Sequence, residues 1–210
     1  MEKLPGSQSA IENNLVKRDA HINPEEGFEI AQRLLVILEK YKDKRVLVLA
    51  PPCFGKTTIL KHIKNGIDMD IVFDTMPEEF KRHVLHHEYP IMFIDGDRET
   101  IKFTEKKFVP GDNKSEEYLE DTTRLLTEYV NSHLKIVPGR PVFGTNIIDT
   151  DVIVYLKLSD DDLDARLQSR NTKTHRLLQR DRVYAIKRLI EKEIKGVANK
   201  DLIIEEFQVS

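Results

Sequence analysis

The sequence holds a single cysteine, Cys53, so no internal disulfide can form and no cysteine pair marks a structural zinc site. A reducing compartment fits that usage. No apolar run comes near the roughly 20 residues that span a bilayer. The N-terminus, MEKLPGSQSAIENN, also lacks the apolar core of a signal peptide, so the expected location is the cytoplasm and no membrane partner is expected. Excess charge is small: 33 Lys and Arg face 36 Asp and Glu, a formal net charge of -3. That balance excludes a global field drawing the chain to nucleic acid or anionic lipid, so an anionic partner must be met by a local patch. Glycine and proline are sparse, at 9 each, which excludes a collagen-like or low-complexity chain.

What is present is a globular composition, 40% hydrophobic and 33% charged, over 210 residues, enough for one α/β domain with a full core. Residues 1–22 are polar and without clear periodicity and read as an N-terminal arm; residues 23–210 read as a single domain. A helix start is signalled at Asn23-Pro24-Glu25-Glu26, with Asn23 as cap, Pro24 in the first turn and two acids complementing the dipole. Phe28, Ile30, Ala31, Leu34, Leu35 and Leu38 continue it as an apolar stripe. Short β-rich runs at 46–50, 70–74, 91–95, 141–145 and 152–158 then alternate with helical stretches at 55–63, 77–87, 115–134, 160–170 and 181–194. Residues 202–205 add a candidate edge strand. This alternation predicts a mostly parallel five-stranded sheet with helices on both faces.

Ala50-Pro51-Pro52-Cys53-Phe54-Gly55-Lys56-Thr57 fits the pattern G-x-x-x-x-G-K-[ST] except for Ala50 at the first position. The apolar run VLVLA leads into it and TTILKHI leaves it, the strand-loop-helix context that a phosphate cradle requires. Backbone N–H groups of a tight turn aim at phosphate oxygens, an ammonium reaches further oxygens, and a hydroxyl faces Mg²⁺. Pro52, Cys53, Phe54, Gly55, Lys56, Thr57 and Thr58 are therefore expected to bind a nucleotide, with Thr57 also on the metal. Cys53 reads as a loop residue, because no motif pairs it with a histidine.

Ligands of open α/β sheets bind beyond the carboxyl ends of the strands. Asp74 closes IVFD and Asp95 closes IMFID, with Gly96-Asp97-Arg98 following. Asp95, or Asp97, suits a metal-binding role and Asp74 suits a general base toward an alcohol; the competing reading of each is a strand-end or capping acid. The segment ARLQSRNTKTHRLLQRDR carries Arg166, Arg170, Arg176, Arg180 and Arg182. Arg166 and Arg170 share a helix face, and the polar stretch 171–174 reads as a lid loop. Pairing with the acids between Asp160 and Asp164 accounts for some of these arginines instead. The histidines show no metal-ligand spacing.

Together these residues resemble the nucleoside and nucleotide kinase group of P-loop proteins, which includes adenylate, thymidylate, deoxynucleoside and shikimate kinases. The likeness spans about residues 45–195. IMFIDGDRET resembles the segment in which an arginine, here Arg98, binds the acceptor; the stretch from Asp164 to Asp181 resembles the lid, with Arg166, Arg170 and Arg176 matching. The resemblance implies a three-layer P-loop NTPase fold with an Arg-rich lid at about 166–182. It implies ATP and Mg²⁺ as cofactors and transfer of the γ-phosphoryl group to a nucleoside, nucleotide or similar small acceptor, with Lys56, Asp74, Asp95, Arg98, Arg170 and Arg176 catalytic and Arg166 on the nucleotide. Two alternatives stand beside it. One is a kinase for a hydroxyl of DNA or RNA, toward which Lys102, Lys106 and Lys107 point; the other is a regulatory ATP-binding protein that transfers nothing.

Overall fold

The computed structural model describes residues 22–77, 80, 109–173, 180–197 and 201–209. The expected strand at 91–95, and with it Asp95, Asp97 and Arg98, lies outside the described residues. So do Arg176, the lysines at 102, 106 and 107, most of the expected helix at 77–87, and the arm up to residue 21.

The first element, α1 (Pro24–Lys40), begins as its sequence dictates. Asn23 Oδ1 accepts from Glu25 N–H at 3.1 Å, Pro24 needs no donor at the first position, and Glu25 and Glu26 sit in the first turn. Ile30, Ala31 and Leu34 form its buried face. Ile22, counted with the arm on sequence, is already buried in the core.

The sheet consists of β1 (Val46–Leu49), β2 (Ile67–Asp68), β3 (Val142–Gly144), β4 (Val152–Lys157) and β5 (Ile203–Gln208). Their order is β2-β3-β1-β4-β5, and every pairing is parallel. The intervening helices are α2 (Lys56–Leu60), α3 (Ile71–Asp74), α4 (Asn113–His133), α5 (Asp160–Lys173) and α6 (Arg180–Val197). Because side chains alternate across a strand, the central strands feed two cores. Val46, Val48, Val152, Val154 and Leu156 pack with Ile30 and Leu34 of α1, Ile59 of α2 and Leu163 and Leu167 of α5. Leu47, Leu49, Ile153 and Tyr155 pack on the opposite face with Val130 of α4 and Ile190 and Ile194 of α6. The result is three layers, helix, sheet and helix. At the sheet's edge β5 is mostly exposed or half-buried and carries charge, with Glu205 paired to Lys40 and Glu206 to Lys157. No helix among the described residues is long and apolar enough to cross a membrane.

Two expectations are corrected. Residues 70–74 are not a strand. The strand is Ile67–Asp68, opened by the Asn65-Gly66 turn in which Asn65 has φ 66°, and Ile71–Asp74 coils into one helical turn that buries Val72. A run as short as IVF fits either period, and pairing to β3 has already ended at Asp68. Second, residues 171–173 continue α5 rather than opening a loop. The weak propensities of Asn and Thr cost well under about 1 kcal/mol each, less than a helix anchored by buried Leu163 and Leu167 recovers.

Candidate functional site

Strand β1 runs directly into the loop 50–55, which sits over the carboxyl end of the sheet. Ala50 N–H donates to Gly144 O at 3.0 Å, fastening the loop's entry to β3, and Phe54 N–H turns back to Pro51 O at 3.4 Å. Ala50 has no positive φ, so glycine is not required at that first position; the left-handed residues are Cys53 at φ 65° and Gly55 at φ 101°. Helix α2 starts at the next residue, with Gly55 O accepting from Thr58 and Ile59.

Four donors of this turn are left over. Among the described residues, the N–H groups of Cys53, Gly55, Lys56 and Thr57 donate to no backbone carbonyl. Pro51 and Pro52 have no N–H to offer, so the loop's donors are concentrated at 53–57. Lys56 Nζ lies over the loop, donating to Ala50 O at 3.1 Å and Pro51 O at 3.2 Å. Burial lowers its pKa, Asp70 and Asp68 oppose that shift, and nearby Arg170 adds to it. Thr58 is 2% exposed, and its hydroxyl has no hydrogen-bond partner among the described residues.

Helix α5 brings two arginines onto the loop. Arg166, 9% exposed, donates to Phe54 O, pairs with Glu26 of α1, and stacks its guanidinium 5.2 Å from the Phe54 ring centroid. Burial pulls its pKa down, and Glu26 pulls it back. One turn later Arg170 Nη1 stands 3.5 Å from Cys53 Sγ. Burial raises the Cys53 thiol's pKa, against the opposing influence of Arg170 and Lys56. Arg180, by contrast, is exposed, pairs with Asp164 at 2.6 and 2.8 Å and stacks on Tyr184, away from the loop.

Among the described residues, the strand-end acid that acts on Lys56 is Asp68, not Asp74. Asp68 closes β2, is 8% exposed and accepts from Asp70 N–H at 3.1 Å, and both carboxylates act electrostatically on Lys56. Asp74 lies exposed on α3, so the expected role of a strand-end base does not fall to it. Sequence reasoning passed over Asp68 although the Asn-Gly dipeptide just before Ile67 is a turn signal that moves the strand forward. The neighbouring strand β3 ends in Gly144-Thr145-Asn146. The Asn146 amide is spent on α4, donating to Thr123 O at 3.3 Å and Thr127 Oγ1 at 3.1 Å.

Chemically, the loop and α5 gather groups that suit an anion: four amides without a backbone acceptor, one ammonium and the Arg170 guanidinium. Arg170 on α5 acts repulsively on Lys56, and an anion bound between the two would relieve that repulsion. No cluster of three or more His, Cys, Asp or Glu side chains suited to a metal occurs among the described residues. The Asp68 and Asp70 carboxylates act on Lys56 and Thr57 is its neighbour in sequence, so the oxygen groups this region offers are of the kind a hard cation takes while keeping most of its water. No family model, curated protein or solved structure gives a significant match to the chain.

Proposed function

We propose that the chain is an ATP-dependent phosphotransferase of the P-loop kinase type, holding the triphosphate on residues 50–57 and passing the γ-phosphoryl group to a small acceptor, a nucleoside or nucleotide in the first instance. The observation that carries this reading is the set of four unpaired amides at Cys53, Gly55, Lys56 and Thr57 beside the Lys56 ammonium, at the carboxyl end of the central parallel strand. The strand order and the alternation of elements agree with a P-loop NTPase fold, in which α5 and α6 would flank the lid at about 166–182. A cytoplasmic location belongs to the same proposal.

The chain's own residues divide the work. The loop amides orient the β- and γ-phosphate oxygens, and Lys56 exchanges its two carbonyl partners for them. Arg170 opposes the charge that grows on the transferred group, the kind of contribution that costs about 10²–10³ in rate when removed. Mg²⁺, when bound, would neutralise phosphate charge, and Thr57 with Asp68 or Asp70 would hold it or its waters. The acceptor is placed at the end of β2, where the Asp68–Asp70 pair takes over the role first expected of Asp74. An alcohol acceptor is favoured, since a carboxylate there can take its proton. The proposal is tested by following ATP consumption and ³²P transfer with nucleosides, nucleotides, oligonucleotides and small alcohols. Labelled product from one small acceptor supports it. Label confined to oligonucleotides moves the reading to a nucleic-acid kinase, and phosphate release without any acceptor moves it to a regulatory ATPase.

A further inference from the structure

We infer that Glu26, in the first turn of α1, is a positioning residue for the loop 50–57, acting through Arg166; this rests on the reading of that loop as the triphosphate site. The chain entering α1 and the helix's first turn reach the loop and the helix that leaves it at three points. A Cβ built on Gly55 would stand 2.8 Å from Ile22 Cδ1 and Cγ2, so Ile22 lies against the loop's last residue. A Cβ on Gly27 would stand 2.7 Å from Thr58 Cγ2, so Gly27 lies against the helix that leaves the loop. Between them in sequence, Glu26 pairs with Arg166, whose other terminal nitrogen donates to Phe54 O.

That last contact sets the direction of an amide. No peptide in the described chain is cis, and a trans peptide carries its C=O and N–H on opposite edges. Fixing Phe54 O on Arg166 therefore fixes Gly55 N–H pointing away from α5, as one of the four donors without a backbone partner. In the first turn of α2, the buried Thr58 hydroxyl has no hydrogen-bond partner among the described residues. The Arg166 guanidinium is engaged on both terminal nitrogens and on the Phe54 ring, so a bidentate grip on phosphate would require breaking this bracket. Arg166 thus serves as the bracket and Arg170, one turn on, as the hand that meets charge. Glu26 keeps the buried Arg166 cation paired while it does so. Glu26 lies outside the 45–195 stretch that resembles known kinases, so the bracket is a feature of this chain's own N-terminal helix.

The test combines Glu26→Ala, Arg166→Met, the double variant and a Lys56→Ala control, all in the full chain. Loop amide exchange is followed without nucleotide, and KM for ATP and kcat are followed with it. We expect faster exchange at 53–58 in Glu26→Ala and a KM raised about tenfold, the size of one lost charge-assisted contact, with kcat within about twofold. The double variant should be no worse than Arg166→Met alone, since both act on one contact. Rescue by Glu26→Gln is expected to be partial, because the amide still accepts from Arg166 but without charge. Unchanged exchange and KM in folded Glu26→Ala, or strictly additive effects with Arg166→Met, would overturn the inference while Lys56→Ala still abolished binding. If Lys56→Ala binds ATP as the parent does, the loop reading itself fails and the inference falls with it.

Discussion

Replacing Gly55 with alanine separates two physical demands made on the same residue. At φ 101° an L-residue meets its own backbone, a cost of about 1–2 kcal/mol. The new methyl would also stand 2.8–2.9 Å from Cδ1, Cγ2 and Cγ1 of Ile22, a buried side chain that has little room to retreat, and such overpacking costs about 1–3 kcal/mol. The sum is about 2–5 kcal/mol. For a domain of this length each kcal/mol lowers Tm by about 2–4 °C, so Gly55→Ala should melt about 4–20 °C below the parent. Thermal unfolding followed by circular dichroism reads this directly, and Ile22→Val in the same background divides it. The double variant should recover only part of the loss, with a coupling of about 0.5–1 kcal/mol, because Cδ1 is removed while Cγ1, Cγ2 and the dihedral share remain. A Tm within about 2 °C of the parent would refute the left-handed assignment. Complete recovery by Ile22→Val would show that neither the backbone nor the remaining Ile22 atoms carry strain, and no recovery would show that Ile22 Cδ1 does not lie on the loop.

Three further outcomes follow from the geometry. Asp68→Asn should lower kcat toward an alcohol acceptor by about 10² or more while Asp74→Asn stays within about threefold, measured at saturating ATP; the reverse order would return the base to α3. Arg170→Ala should cost about 10²–10³ in turnover, and Arg180→Ala, whose exposed pairing with Asp164 faces away from the loop, should stay within about twofold. At the far end of the sheet, Arg45 donates to Asp151 at 2.8–3.1 Å and to Asp149 at 2.6 Å, and the Arg45 contacts hold the Asp151 carboxyl below its ordinary range. A depressed carboxylate stabilises the fold above its unfolded pKa and loses that contribution as pH falls through its folded value. The Tm gap between the parent and Asp151→Asn should therefore be widest near pH 6–7 and close in acid below about pH 4, the ordinary carboxylate range; a gap that stays constant down to pH 2.5 would contradict the assignment.

The parts of the fold that were readable in the sequence are those where a local rule and the tertiary structure agree. Asn23-Pro24 starts α1 because the cap and the missing donor serve the helix whatever it packs against. VLVL is wholly buried in the centre of a parallel sheet, so its continuous apolar run has no competing period. Gly55-Lys56-Thr57 stands out because the pattern sits between the apolar run VLVLA and the helix TTILKHI, and Gly55 adopts the φ of 101° that glycine allows. The rest depended on contacts that spacing does not encode. β2 is two residues long, too short for alternation to register, and the apolar Ile71, Val72 and Phe73 drew the expected strand past it, taking the acid from Asp68 to Asp74. The continuation of α5 through 171–173 reflects anchoring by residues a turn or two earlier rather than by the polar residues themselves. Glu26 and Arg166 are 140 positions apart, and nothing in either neighbourhood announces the other.

The most direct test of the central claim is the binding of MgATP to the parent and to Lys56→Ala by isothermal titration calorimetry, with circular dichroism confirming that both are folded. Lys56 Nζ holds two carbonyls that phosphate oxygens would replace, and it is half-buried among loop atoms rather than in the core, so its removal should spare the fold. The account predicts one site per chain in the parent, and at least about 10²-fold weaker binding in the variant, the loss of a charge-assisted phosphate contact in a partly desolvated loop. Equal affinity in the two proteins, or a folded parent that takes up no ATP, would contradict it.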